Sequence, residues 1–158
     1  VDWELHLIGG VKEGQAHQQF IKKLQNDAEG YPIYFHFDAP NKELTKLLNS
    51  SQIYWHATGF GENLKKHPEK AEHYGLTTLE AMAAGCVPIV YNQGGQPEIV
   101  TADVGYVWNT PAQLIKYTQN LIDDSKKIAR LKINAVKKAK TYNQSAFTNK
   151  FNEILNDN

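Results

Sequence analysis

The fold is decided by residues 72–91, EHYGLTTLEAMAAGCVPIVY. Apolar side chains recur at helical spacing between Leu76 and Ala83, and Gly85 then supplies a stop signal for a helix. Residues 86–91 form a short apolar run, which is typical of a buried strand. A helix followed directly by a buried strand indicates a parallel α/β sheet, because parallel strands need helix-length connections.

The same alternation of strands and helices extends in both directions from this stretch. The predicted strands cover residues 1–7, 31–37, 53–56, 86–91 and 105–108. The predicted helices cover residues 14–29, 41–48, 76–85, 111–123, 126–142 and 145–155, with a turn at 97–100. We therefore predict an α/β fold, a Rossmann-like parallel sheet with helices on both faces and a helical C-terminal tail.

The loops at the carboxyl ends of the strands are the predicted site. In open α/β sheets, ligands bind outside these ends, which here are the loops after Ile8, Phe37, His56 and Tyr91. The loop at 58–71 is polar and long, which indicates a functional role. We expect the four loops to form one site.

Length and composition fit a single domain, since the chain has 158 residues, of which 41% are hydrophobic and 22% charged. Seventeen basic and seventeen acidic side chains give a formal net charge of zero, which disfavours binding to nucleic acid. The longest apolar run, residues 81–91, is too short to span a bilayer. With one cysteine and no signal-peptide pattern at the start, we expect a cytoplasmic location.

The start of the helix at 76–85 is a predicted anion site. The backbone N–H groups of Gly75 to Thr78 lack partners within the helix, and the helix dipole favours a diphosphate there. Glu80 lies among apolar neighbours and is expected to be buried, where a carboxylate needs partners such as sugar hydroxyls. The alternative for Glu80, and more so for Glu72 in the preceding loop, is an ordinary solvated glutamate.

Glu72 and Glu80, with seven residues between them, are followed by Gly94-Gly95-Gln96-Pro97-Glu98-Ile99-Val100. This block resembles the C-terminal half of the family 4 retaining glycosyltransferases, whose fold is called GT-B. The resemblance runs in order from Trp3 to about Trp108. It implies transfer of a sugar from a nucleotide-diphosphate donor with retention at the anomeric carbon. It also implies that the nucleotide sugar is a co-substrate and that no metal or other cofactor takes part.

The resemblance assigns roles to individual residues. It implies that Glu72 is the catalytic carboxylate facing the donor sugar and that Glu80 binds the ribose hydroxyls. The remaining donor-binding residues that it implies are Tyr74, Gly75, Leu76, Thr77, Gly94 and Gly95.

The resemblance also implies parts that precede Val1. Family members carry an Arg and a Lys that neutralise the diphosphate, and an N-terminal GT-B domain that holds the acceptor. We therefore expect residues 1–158 to be one donor-binding domain, truncated at its N-terminus, that binds the nucleotide without turnover by itself. The alternative function is a GT-B-like module that binds a nucleotide sugar for epimerisation or regulation.

Two further groups of residues allow other interpretations. His36, His56 and His73 lie near predicted strand ends, but their spacing matches no metal-ligand signature, so we expect no metal site. Residues 126–140 carry seven Lys or Arg and no acid, which favours a solvated helix face. The alternative for this basic helix is peripheral contact with the inner face of a membrane.

Overall fold

The computed structural model describes residues 3–156, and within this range it confirms the α/β class with parallel strands. The described strands are β1 (Leu5–Gly9), β2 (Ile33–Phe37), β3 (Ile53–His56), β4 (Val87–Tyr91) and β5 (Tyr106–Trp108). The described α-helices are α1 (Gln15–Asp27), α2 (Asn41–Ser50), α3 (Leu76–Ala83), α4 (Gln96–Ile99), α5 (Pro111–Ile122), α6 (Ser125–Ala139) and α7 (Gln144–Asn156). A short 3-10 helix covers Pro68–Lys70.

Most predicted elements agree with the structure to within a few residues. One difference is at 97–100, where the predicted turn is the short helix α4, which begins after Gly95 and has Pro97 in its first turn. Another is α6, which stops at Ala139 rather than at residue 142. The part of the first strand predicted at Val1 and Asp2 lies outside the described residues.

The strands fall into two parallel sheets, with the orders β1-β2 and β3-β4-β5. The chain divides correspondingly into two compact units, Val1–Leu47 and Leu48–Asn158. In the first unit, β1 and β2 pair along their whole length, from Leu5 opposite Ile33 to Gly9 opposite Phe37.

The loops that follow β1 and β2 meet at the carboxyl end of this first sheet. The Asp38 N–H donates to the Gly9 carbonyl (3.0 Å), and the Val11 N–H donates to Asp38 Oδ1 (3.1 Å). The predicted meeting of loops at strand ends is thus present within this unit.

The second unit is built around β4. Its residues 87–90 are fully buried because β3 and β5 flank the strand and α3, α4, α5 and α6 pack against it. The apolar face of α3 joins the core cluster, whose buried members are Leu79, Met82, Val90, Ile99, Val100, Val104 and Ala135. Since the three strands are parallel, their carboxyl ends lie at one edge of the sheet, with His56 opposite Val90 and Tyr91 opposite Trp108.

No helix in residues 3–156 combines the length and the apolar character needed to cross a membrane.

Candidate functional site

The candidate site lies at the carboxyl edge of the β3-β4-β5 sheet, in the second unit. β3 delivers His56 to this edge, and the chain then returns through the loop at 58–71 to Glu72 and the start of α3. Gly75 is the N-cap of α3 and has φ 78°, a left-handed conformation that glycine adopts without strain. An added Cβ there would lie 2.9 Å from Ile99 Cδ1, so only glycine fits.

The Glu72 carboxylate is held by the backbone that follows it. Its Oε1 accepts from the N–H groups of Gly75 (2.9 Å) and Tyr74 (3.2 Å). Its Oε2 lies 3.6 Å from His56 Nε2. The bond from the Gly75 amide is the main cause that lowers the pKa of Glu72, so the carboxylate is charged at neutral pH.

The start of α3 offers free backbone donors. Among the described residues, the N–H groups of Leu76, Thr77 and Thr78 have no protein acceptor, as expected for the first turn of a helix. The Gly75 amide, which we also predicted to be free, is already taken by Glu72. Thr78 is fully buried, so the open donors are the amides of the exposed residues Leu76 and Thr77, adjacent to a fixed negative charge.

The loop with Gly94 and Gly95 packs directly against the backbone of Glu72 and His73. The Gly95 N–H donates to the Glu72 carbonyl (3.0 Å). A Cβ at Gly94 would overlap that same carbonyl oxygen, and one at Gly95 would overlap the His73 carbonyl. The two glycines therefore set the position of Glu72 through close backbone contact, while their role at a donor pocket stays a prediction.

Glu80 is exposed, so the expectation that it is buried is wrong. α3 buries the face with Thr78, Leu79, Ala81 and Met82, and leaves even Leu76 60% exposed on the other side. Glu80 lies three and four residues after Thr77 and Leu76, so the three side chains share the outer face near the open amides. The carboxylate is accessible to a ligand, and its role toward a ribose stays a prediction.

The sequence analysis missed Tyr54, which connects β3 to this outer face. The Tyr54 hydroxyl donates to Thr77 Oγ1 (2.9 Å). Burial is the main cause that raises the pKa of Tyr54, and the nearby charges of Glu72 and Glu80 raise it further. Tyr54 and His56 are two residues apart in β3, so their side chains lie on the same face of the strand. This spacing was the sequence signal that could have identified Tyr54.

A buried polar pair supports the start of α3 from below. The Thr78 hydroxyl donates to Gln96 Oε1 (3.0 Å), and both side chains are buried. Gln96 Nε2 has no partner among residues 3–156 and would lie 3.2 Å from a Cβ at Gly75. Gln96 of α4 thus bonds to Thr78 on the buried face of α3 and lies next to Gly75, the N-cap of that helix.

The loop at 58–71 is anchored more firmly than its sequence indicates. Phe60 packs edge-on against Tyr91 and contacts Trp108, with ring centroids 5.4 and 5.2 Å apart. The Lys70 ammonium pairs with Glu62 (2.8 Å). An open groove of about 610 Å³ lies beside this loop, lined by Gly61, Glu62, Asn63, Leu64, Lys65, Tyr91 and Gln93.

The three histidines considered for a metal have other partners or none. His36 contacts Glu43 (2.8 Å) in the first unit, His56 faces Glu72, and His73 is exposed. In the described part of the chain, no three His, Cys, Asp or Glu side chains are placed to hold a metal ion. Cys86 is buried, which raises the pKa of its thiol to about 11 and makes it a poor nucleophile.

The second unit has a parallel sheet with a fixed carboxylate and open helix amides at its carboxyl edge. These features are typical of α/β domains that bind ligands at the ends of their strands. The chain matches the family described as glycosyl transferases group 1 over residues 1–138, and it belongs to that family. This confirms the resemblance to glycosyltransferases of the GT-B fold, while the narrower assignment to family 4 stays a prediction.

Similar proteins agree with this assignment. The Dictyostelium discoideum GDP-Man:Man(3)GlcNAc(2)-PP-Dol alpha-1,2-mannosyltransferase is 25% identical over 154 residues, which cover 94% of this chain and 28% of that protein. Anabaena HepE, solved in complex with UDP-glucose, has the same fold (TM-score 0.75, 20% identity, 98% of this chain and 41% of that one). So does the C-terminal domain of LpcC from Francisella tularensis (TM-score 0.68, 20% identity, 88% and 85%).

Proposed function

We propose that this chain is the donor-binding domain of a retaining glycosyltransferase of the family 4 type. It holds a nucleotide-diphosphate sugar at the carboxyl edge of the β3-β4-β5 sheet, and the complete protein transfers the sugar to an acceptor. The names of similar proteins support a nucleotide-sugar donor, since one relative is called a GDP-Man-dependent transferase and HepE was solved with UDP-glucose.

The observation that carries this proposal is the charged Glu72 carboxylate next to the free amides of the exposed residues Leu76 and Thr77. When the bond between the anomeric carbon and the diphosphate oxygen breaks, the nucleoside diphosphate leaves with the electron pair. The negative charge then grows on oxygens that the helix amides face, and fixed dipoles stabilise it without rearranging.

Glu72 has the chemistry needed for the sugar side of the same reaction. Because its pKa is lowered, it is a poor proton donor and stays negative at neutral pH. Each carboxylate oxygen can accept more than one hydrogen bond, so Oε1 can hold the backbone while the group also accepts from sugar hydroxyls. Its charge also stabilises positive character at the anomeric carbon as the leaving group departs.

The nucleotide extends from the helix start along the outer face of α3. Glu80 shares this face with Leu76 and Thr77, and it is the carboxylate proposed to accept from the ribose hydroxyls. The diphosphate lies between the two glutamates, over the amides of Leu76 and Thr77.

The proposal includes partners outside this domain. An N-terminal GT-B domain in cis holds the acceptor, an Arg and a Lys in the strand and loop that precede Val1 neutralise the diphosphate, and no metal is needed. The location is cytoplasmic. Lys127 lies over the Tyr106 ring and Lys138 over the Tyr142 ring, so part of the basic charge of α6 is used against the fold itself. This favours a solvated face over membrane contact for 126–140.

The test measures the turnover of UDP-glucose and of GDP-mannose by the full-length protein. We expect one of the two to yield a free nucleoside diphosphate, and the sugar product to keep its anomeric configuration by NMR. Glu72→Gln should reduce turnover to a small residual rate with the fold intact, and EDTA should not reduce it. An inverted product, or full turnover by Glu72→Gln, would refute the proposal.

A further inference from the structure

His56 is a buried histidine at the candidate site whose chemistry the proposed function does not use. It is the last residue of β3, it is 8% exposed, and its Nε2 lies 3.6 Å from Glu72 Oε2. Its other ring nitrogen, Nδ1, is buried and has no partner among the residues that the structure describes. Burying a polar atom without a partner costs free energy of folding. The contact of Nε2 with Glu72 is therefore the polar contact that holds the ring here.

The surroundings determine the protonation of His56. A charged carboxylate only accepts hydrogen bonds, so the nitrogen facing Glu72 carries the proton and Nδ1 is left as a bare lone pair. Burial is the main cause that lowers the pKa of His56, although the charge of Glu72 opposes it. The ring is therefore neutral near pH 7, with its N–H dipole directed at Oε2.

The two oxygens of Glu72 are thus fixed from opposite directions. Oε1 accepts from the Tyr74 and Gly75 amides, and Oε2 faces the His56 N–H. The distance of 3.6 Å is slightly longer than a hydrogen bond, so in the free chain the contact is electrostatic. Without it, rotation of the carboxylate about its last bond would be limited only by the amides on one oxygen.

We infer that His56 is a positioning residue, which orients the Glu72 carboxylate for the donor sugar through its Nε2–H. This inference rests on the proposed function, because it gives Glu72 a task that depends on orientation. A neutral donor orients the carboxylate and leaves its negative charge in place. A lysine or arginine at this position would cancel that charge. The sugar, which is partially positive in the transition state, therefore faces a Glu72 carboxylate with its full negative charge.

Two substitutions of similar size separate positioning from packing. His56→Gln keeps an N–H donor near the position of Nε2, whereas His56→Phe fills the cavity without any donor. In the protein as its organism makes it, we expect His56→Phe to lower kcat for UDP-glucose or GDP-mannose turnover about 10- to 100-fold. The donor KM should change less than about 3-fold, because contacts with the diphosphate and the ribose supply most of the affinity for the sugar nucleotide. His56→Gln should recover most of the rate.

A double-variant cycle tests whether His56 acts through Glu72. With Glu72→Gln already present, His56→Phe should cost at most about another 2-fold, because the group that it orients is gone. Leu131→Ala, a buried change in α6 away from the site, serves as the matched control for lost stability and should leave kcat unchanged at 25 °C. A kcat of His56→Phe within about 2-fold of the wild type would overturn the inference.

Failure of the inference is distinguishable from failure of the proposed function. If Glu72→Gln keeps full turnover, the role of Glu72 is wrong. If Glu72→Gln loses nearly all turnover while His56→Phe keeps a kcat within about 2-fold of the wild type, only the inference fails. Should His56→Phe not fold, the wild-type protein still gives an answer through ¹⁵N NMR of its imidazoles. We expect a neutral ring protonated at Nε2 at pH 7, and a ring protonated at Nδ1 or at both nitrogens would refute the positioning role.

Discussion

Replacing Glu80 by glutamine tests where the nucleotide lies along α3. Because Glu80 is exposed, the change removes a charge without disturbing the core. A carboxylate is a stronger acceptor for a ribose hydroxyl than an amide, and on an exposed face the expected loss is about 1–2 kcal/mol. This corresponds to about a 5- to 30-fold increase in Kd. The increase should be equal for a nucleoside diphosphate and for a sugar nucleotide, since both carry the ribose.

Glu72→Gln is the matched substitution eight residues before Glu80. Its amide oxygen can still accept from the Tyr74 and Gly75 amides, while the negative charge next to the open helix start is lost. We expect the nucleoside diphosphate to bind as well as before or slightly more tightly, because electrostatic repulsion of the diphosphate is removed. Sugar nucleotide should lose affinity, since only that ligand places a sugar against residue 72.

Titration calorimetry with UDP, GDP and ADP, their monophosphates, and UDP-glucose or GDP-mannose measures these differences. The diphosphates should bind more tightly than the monophosphates, because the amides of Leu76 and Thr77 favour the second phosphate. Equal losses of diphosphate affinity from both substitutions would refute the reasoning. So would an unchanged affinity in a folded Glu80→Gln variant, which would place the nucleotide elsewhere on the helix.

Three further predictions concern the support of the site. Gly95→Ala should lower Tm and weaken sugar-nucleotide binding, because the added methyl overlaps the His73 carbonyl and shifts Glu72. The control is Gly105→Ala, whose methyl overlaps the Pro88 carbonyl away from the site and should lower Tm alone. Equal losses of binding in the two variants would contradict the prediction. Because the pKa of Glu72 is lowered on folding, the stability that its charge contributes is present above its ordinary pKa of 4.5 and is lost as the pH falls through the lower folded value. Urea unfolding between pH 7 and 3 should therefore show the difference from Glu72→Gln shrinking toward acid, and a growing difference would be inconsistent with this sign. Although Phe60 and the Lys70–Glu62 pair anchor the loop at 58–71, most of its residues are exposed, so its amides should exchange hydrogen quickly in the free protein and slowly with donor bound. Complete protection without donor would indicate a purely structural loop.

Local patterns in the sequence were sufficient for most of the secondary structure, including the helix and the strand next to the candidate site. The helical spacing from Leu76 and the apolar run into β4 are properties of neighbouring residues, and both elements lie where these patterns predict them. The end of the loop at Glu72 and the glycine that begins α3 were identified in the same way. The parallel arrangement followed because strands that alternate with helices have few other ways to pair.

The sequence by itself did not determine which face of α3 is covered, or which side chains meet at its start. A helix that is apolar nearly all round gives no periodic signal for its outer face, so Glu80 was expected to be buried and is exposed. The bond from the Gly75 amide to Glu72 is local, but Gly95 donates to the Glu72 carbonyl and His56 faces the Glu72 carboxylate only because their elements pack at one edge. These last two contacts join residues far apart in the chain, and their geometry exists only once the sheet and its helices have packed, which is why the tertiary structure decided them.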